Sequence, residues 1–461
     1  MYYRTRTTWA GGLLRVTTTE WDLSDASEAL AAGSVSAGEL VDQCLAEIER
    51  RQSSLNCFVA VDEIGARLAA KETDGRRQQG AALSPIDGIP VALKDNMNVE
   101  GLATRNGSMF SHAVPGDAVV TERLRAAGAV ILGKLNMDEC AIGGTTNNPH
   151  FGPTYNPWRP GFNPGGSSGG SASAVAAGLA WAALGSDTLG SVRLPAAYCG
   201  VVGLKATFGL IDMAGVVPLS QTLDHVGPIC RCVRDARLML GILAGPLPDA
   251  PALRDLSSLR IGVCEQIPAP DCAADVVKGF ENALGDMSRL GAEIVHLSIK
   301  DLEPRRLRRD AFLMIEAEGA IAHATSLREE PDAFSENFRG MMDYGRNLPA
   351  ERRDAVHRHL AAMKKAINAL FDDVDLLVMP TAPQTAFSFN DPAPTNQAEY
   401  TGLANVTGGP AISLPCGLDP SGLPLAIQIM AAPFQEAGLL SAADVLENTW
   451  GRFTPELNDQ Q

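Results

Sequence analysis

The stretch 161-GFNPGGSSGGSASAVAAG-178 sets a bare glycine–serine patch, GGSSGGSAS at 165–173, in the middle of an otherwise well-mixed chain. Tracts of this composition usually act as flexible linkers. Here the patch leads straight into small apolar residues, AVAAGLAWAAL at 174–184, which read as a buried helix. A linker would join units, whereas this patch opens one, and small side chains on the helix predict close backbone packing. A phosphate-binding loop of the form GxxxxGK[ST] is excluded because the patch holds no lysine. Gly166–Gly170 does fit GxSxG with Ser168 at its centre, but that nucleophile turn must follow a strand. The preceding YNPWRPGFNP, with its three prolines, does not read as one. None of the seven histidines falls in a downstream loop that would complete a histidine-based triad.

Two other segments give the patch a chemical context. GSDTLGSVRLP at 185–195 places Ser191 after Gly190 in a glycine-rich turn. GIPVALKDN at 88–96 ends its apolar run on Lys94. A lysine leaving a buried strand is partly desolvated, which disfavours its charged form. A free lysine titrates near 10.4, and work as a base at neutral pH requires a fall to about 7–8. The alternative for Lys94 is a structural ion pair, with Asp95 as the nearest partner.

The rest of the chain supports a large α/β protein. It has 461 residues, 45% hydrophobic and 20% charged, enough to build a core without staples. DLSDASEALAAGSVSAGELVDQCLAEIER at 22–50 reads as two helices, the second with a capping box at Ser36 and Glu39. Residues 118–139 read as helix, glycine turn and strand. SLRIGVCE, a helix over 275–290 and AEIVHLSI form another α/β unit. A charged helical region spans 301–372, and DLLVMPTAP, AISLPCG and GLPLAIQIMA read as late strands. The Pro-rich stretch near 245–257 is the best internal boundary. The expected class is α/β, with a central mixed, twisted sheet flanked by helices. The net charge of −16 disfavours a nucleic-acid or anionic-membrane surface. Nine scattered cysteines argue for a reducing compartment rather than a disulfide framework. Cys230 and Cys232 form a CxC pair without a second pair at zinc spacing, so no metal is expected. No apolar run is long enough to span a membrane, and the N-terminus lacks a convincing signal peptide, so a cytoplasmic location is expected.

Taken together, GIPVALKDN, MDECAIGGTTNNPHFGPTYNPW (137–158), NPGGSSGGSASAVAAG and DTLGSVRLPAAYCGVVGLKAT resemble the amidase signature family. LSQTLDHVGPICRCVRDA and GGPAISLPCG also fit, and the resemblance runs over about 19–446. It implies one large domain over 19–456 after an N-terminal extension, 1–18, with the 301–372 helices as a variable substrate region. It also implies a Ser–cis-Ser–Lys triad: Ser191 as nucleophile, Ser167 as the bridging serine on a cis peptide bond, and Lys94 as base. Ser168 would support the network, and Asp187 and Arg193 would brace the turn. The backbone N–H groups of Thr188, Leu189, Gly190 and Ser191 would form the oxyanion hole. The family usually carries glycine where this chain has Leu189. A positive φ there would strain a leucine; otherwise the side chain would shape the pocket mouth, which is the expectation adopted.

The implied reaction is hydrolysis of C–N bonds in small amides, anilides or carbamates through a Ser191 acyl-enzyme, with no metal or organic cofactor. The expected partner is that small amide or carbamate, without nucleic acid or membrane, and a homodimer is the default assembly. MDECAIGG also resembles the corresponding segment of the amide-cleaving component of a tRNA-dependent amidotransferase, which releases ammonia from glutamine for a partner protein. That component is the alternative reading, and a non-catalytic binding protein on the same scaffold is a third. Asn147, Asn148 and His150 are read as loop hydrogen-bonding residues, and Met341, Met342 and Tyr344 as a core stripe.

Overall fold

The computed structural model describes residues 21–248 and 253–457. The expected extension at 1–18 and the middle of the Pro-rich stretch lie outside the described residues. The strands are β1 (Phe58–Val61), β2 (Pro90–Lys94), β3 (Val130–Leu135), β4 (Asn147–Asn148), β5 (Gly152–Pro153), β6 (Ala182–Ser186), β7 (Val202–Lys205), β8 (Val226–Cys230), β9 (Arg260–Cys264), β10 (Glu293–Leu297), β11 (Leu376–Pro380), β12 (Ala411–Leu418) and β13 (Pro424–Ala431). Among the described residues, eleven of these join one sheet in the order β1-β3-β2-β6-β8-β7-β12-β13-β11-β9-β10. Pairing is parallel for β3-β2-β6 and for β11-β9-β10. It is antiparallel through the middle, from β6 to β11. The sheet is therefore mixed, as expected. Since β8 and β9 belong to the same sheet, it continues across the Pro-rich stretch.

Helices cover the sheet: α1 (Leu23–Ala31), α2 (Ala37–Leu55), α3 (Glu63–Gln78), α4 (Val119–Ala126), α5 (Gly169–Ala176), α6 (Arg193–Cys199), α7 (Val233–Ala244), α8 (Ala274–Arg289), α9 (Pro304–Ala322), α10 (Ala324–Glu329), α11 (Glu336–Arg346), α12 (Ala350–Ala369), α13 (Gly402–Thr407) and α14 (Glu436–Trp450). The capping box read at Ser36 is present: Ser36 Oγ accepts from the Glu39 amide at 3.1 Å, and the Ser36 amide donates to Glu39 Oε2 at 2.8 Å. No helix among the described residues is long and apolar enough to cross a membrane.

One expectation is corrected. The run 174–184 is not a single helix: α5 begins in the glycine–serine patch and ends at Ala176, and residues 182–186 form β6. Gly178 stops the helix at φ +74°, a backbone conformation glycine adopts without steric cost. The chain then enters the centre of the sheet, where both faces are covered and a strand is apolar throughout. Periodicity alone cannot separate such a strand from a buried helix.

The small residues of α5 have the packing role expected of them. All eight are buried, and a β-carbon on Gly170 would lie 2.4 Å from the Asn136 carbonyl oxygen and 2.8 Å from that of Cys57. Gly75, within α3, has nothing within 4 Å of the same position. We therefore expect Gly170→Ala to destabilise the protein by about 1–3 kcal/mol through overpacking, and Gly75→Ala to stabilise it by about 0.4–1 kcal/mol. Urea unfolding of both variants checks the contrast.

Candidate active site

The site forms where β2 and β6, neighbours in the sheet, both end. β2 delivers Lys94 and β6 delivers Ser186, and the glycine–serine patch lies against them. Lys94 is completely buried. Its Nζ lies 2.7 Å from Ser167 Oγ and 2.8 Å from Ser186 Oγ, with a longer contact of 3.5 Å to the Ser186 carbonyl. Asn96 Nδ2 donates to the same Ser186 hydroxyl at 3.0 Å, and Ser168 Oγ donates to the Ser186 carbonyl at 3.2 Å. The Gly166–Ser167 peptide is cis. This set suits a neutral amine. A neutral amine would fill it with its two hydrogens toward the Ser186 oxygens and its lone pair toward Ser167 Oγ.

Burial is the main reason that the Lys94 ammonium is pushed down to about 7; the charges of Asp138, Asp187 and Asp224 act in the opposite sense. Asp138 is itself engaged, accepting from the amides of Thr145 and Thr146 at 3.2 and 2.9 Å.

The turn from Asp187 to Ser191 is braced by one buried ion pair. Arg193 Nε and Nη2 donate to the two oxygens of Asp187 at 3.0 and 2.8 Å. The remaining Arg193 donors reach the Thr401 carbonyl at 2.8 Å, Asn405 Oδ1 at 2.7 Å and Gln428 Oε1. Burial alone would raise the Asp187 carboxyl, but Arg193 and Asn405 override it and hold the group well below the usual carboxylate range. Asp187 also accepts from the Gly190 amide at 2.8 Å and the Val192 amide at 3.1 Å. This corrects the expected oxyanion hole, because the Gly190 N–H is committed to a carboxylate. The amides of Thr188, Leu189 and Ser191 have no partner among the described residues.

The departure at Leu189 is accommodated simply. Positive φ falls on Gly190, at +123°, and not on Leu189. A β-carbon on Gly190 would lie 2.2 Å from Thr401 Oγ1, and that hydroxyl donates to the Leu189 carbonyl at 2.7 Å. The Leu189 side chain belongs to the same buried apolar cluster as Leu219 and Tyr400 and lines the cleft.

Ser191 opens onto a cleft of about 660 Å³, together with Gly166, Thr188 and Leu189. Phe312 and Ile315 on α9 and Leu194 and Leu219 opposite make its walls largely apolar. Arg308, one turn before Phe312, is the sole charged lining residue among those described, and its Nε has no hydrogen-bond partner among them. Sequence reasoning misses Ser186, Asn96, Asn405, Thr401 and Arg308. Ser186 sits in plain view beside Asp187, but only the Lys94 contact distinguishes it from an ordinary strand-end serine.

The other expectations resolve as follows. Asn148 donates to the carbonyls of Gly107 and Met137 at 2.7 and 2.8 Å, and His150 pairs with Glu139 at 2.7 Å, so these are loop-holding contacts. Met342 is buried beside Phe334 and Phe338, Met341 packs partly against them, and Tyr344 is exposed. The buried His225 is pushed down to about 3, chiefly by burial. Its ring contacts Lys205 and the Leu223 and Asp187 carbonyls, not Lys94 or Ser167.

A mixed-sheet α/β protein with a buried lysine–serine cluster at its strand ends is the class that this geometry defines. The chain belongs to the Amidase family, whose model matches residues 39–440. It is 37% identical over 475 residues to the A-type subunit of the glutamyl-tRNA(Gln) amidotransferase of Anaeromyxobacter dehalogenans, covering 93% of this chain and 96% of that one. The solved structure of the corresponding subunit from Thermotoga maritima superposes with a TM-score of 0.81 at 28% identity, over 97% of this chain and 100% of that one. A component of a vestigial protein complex bearing on the origins of an s-triazine catabolic enzyme gives a TM-score of 0.86 at 33% identity, over 95% and 100% of the two chains.

These relatives overturn the expected partner set, which held a small amide or carbamate alone and excluded nucleic acid. Proteins alike over nearly their whole length are named as one subunit of an amidotransferase, and for a tRNA. The physical reason for the error is that net charge describes the chain's own surface, not what an associated protein binds.

Arg193→Ala would leave the Asp187 carboxylate buried and unpaired, and we expect it to destabilise the fold by about 3–5 kcal/mol. Arg193→Lys, which keeps charge but loses the two-pronged contact, should fall between wild type and alanine in urea unfolding.

Proposed function

We propose that this chain is the amide-cleaving component of a glutamine-dependent amidotransferase. It would release ammonia from glutamine for use by a partner protein that engages tRNA. The observation that carries the chemistry is the 2.7 Å approach of Lys94 Nζ to Ser167 Oγ in a fully buried setting. Neutral Lys94 takes the Ser167 proton, Ser167 takes that of Ser191, and Ser191 Oγ attacks the carboxamide carbon. The free amides of the 188–191 turn receive the developing oxyanion, a contribution worth about 3–4 kcal/mol per donor in other hydrolases. Ser167 returns a proton to the departing nitrogen, so the leaving group is ammonia, and water regenerates Ser191 by the same route.

Glutamine fits through Arg308, whose unpartnered Nε in an otherwise uncharged cleft suits an α-carboxylate. Full-length similarity to the amidotransferase subunits supports a role within such an assembly. The apolar walls favour a different outcome, hydrolysis of a bulkier acyl group without transfer, and the substrate test below separates the two.

Ammonia release from glutamine should be measured beside a panel of aryl and alkyl amides. Ser191→Ala and Lys94→Ala should each abolish glutamine turnover, and Arg308→Gln should raise KM for glutamine far more than it lowers kcat. Rapid cleavage of aryl or alkyl amides with glutamine refused would overturn the assignment. The pH dependence has a fixed sign. Lys94 is protonated and inactive below about 7 and neutral above it, so kcat/KM should climb with pH through that value and level off. Replacing the histidines one at a time should leave this limb in place.

A further inference from the structure

The turn bearing Thr188 is held from behind by a residue outside the relay and its Asp187 brace. Thr188 Oγ1 donates to Asp224 Oδ1 at 2.6 Å. The other oxygen of Asp224 accepts from the amides of Leu219 and Ser220 at 2.8 and 2.9 Å. Burial pushes the Asp224 carboxyl up, while these three donors and the Lys94 charge pull it back down. All three contacts are donations to the carboxylate, the arrangement that fits its ionised form. The segment is strapped in turn to α9. Glu318 accepts from the Thr222 hydroxyl at 2.9 Å, from the Thr222 amide at 3.2 Å and from the Ser220 hydroxyl. α9 is the same helix that sends Arg308, Phe312 and Ile315 into the cleft.

We infer that Asp224 is a positioning residue: through the Thr188 hydroxyl it fixes that end of the oxyanion turn. Three carboxylates, Asp138, Asp187 and Asp224, raise the Lys94 affinity for a proton against the larger effect of burial. Asp187 is locked to Arg193, and Asp138 is held by backbone amides. Asp224 is held by backbone amides through one oxygen and bears on a threonine side chain through the other, and it lines a broad outer cavity along with Ser220 and Glu318. Removing its charge makes the Lys94 ammonium easier to deprotonate. Removing only the Thr188 hydroxyl leaves that charge in place and frees the turn.

This inference rests on Ser191 as nucleophile, so the test uses a probe that needs no knowledge of the natural substrate. The rate of Ser191 phosphonylation by a fluorophosphonate is followed against pH in the full chain. Thr188→Val should label about tenfold more slowly, the scale of one lost buried hydrogen bond, with the rise in rate at the wild-type pH. Asp224→Asn should also label slowly, but with the rise moved to lower pH by about one unit, the scale of one screened charge. Asp224→Glu keeps the charge and should restore the wild-type limb even where its rate is reduced. Thr188→Val labelling at the wild-type rate, or with its limb moved as far as that of Asp224→Asn, would overturn the inference while leaving the nucleophile intact. Wild-type protein that fails to label at Ser191 would instead overturn the reading beneath it. If Asp224→Asn does not fold, the comparison of Thr188→Val, Thr188→Ser and Asp224→Glu still decides, because a turn held through this contact requires serine to recover the rate that valine loses.

Discussion

Everything at this site depends on the dryness around one amine. An ammonium in water has no reason to give up its proton at neutral pH, and no residue near Lys94 forces it to. The nearby charges are three carboxylates, all of which favour retention. What removes the proton is the absence of solvent at the end of a strand covered on both faces. The fold supplies this by placing β2 deep inside a sheet flanked by helices, so the architecture itself tunes the base. A histidine would need no such enclosure, which is why histidine sites tolerate loops and water, and why this one sits at the ends of central strands.

The second requirement is stiffness in the turn that follows β6. Asp187 and Arg193 are both fully buried, an arrangement whose desolvation cost is recovered only when almost every donor and acceptor is matched. Here the match is close to complete, with Asn405, Gln428, Thr401 and two backbone amides closing the network. Asn405, Gln428 and Thr401 come from α13, β13 and the residue before α13, more than 200 residues further along the chain. The network that braces the turn next to Ser191 is therefore complete only when the far half of the sheet is in place.

Much of this is legible in the sequence, for identifiable reasons. Lys94 announces itself as a charge ending an apolar strand, and Ser167 and Ser191 lie in glycine-rich segments where a linker makes little sense. The capping box at Ser36 is local chemistry, and the local pattern suffices to find it. Sequence and structure part where local pattern and tertiary context diverge. A central strand and a buried helix share the same composition, so 182–186 merges with the helix before it. The Gly190 amide cannot be assigned from order alone, because its carboxylate acceptor is chosen by the three-dimensional turn. Arg308 and Asp224 carry no signal, since neither an unpaired guanidinium nor a threonine-bound carboxylate can be recognised until its neighbours are known.

The helix α9 presents Arg308, Phe312 and Ile315 to the cleft on one stripe, while Lys94, Ser167, Ser186 and Ser191 belong to other elements entirely. In the proposed reaction that stripe contributes to recognition, while the amine and the hydroxyls carry the proton. In that reaction, changes along the stripe act first on the acyl group, and Glu318 ties the same helix to the segment behind the oxyanion turn. A wall carried on one helix lends itself to repainting, within the limits that this tie to the engine behind it sets.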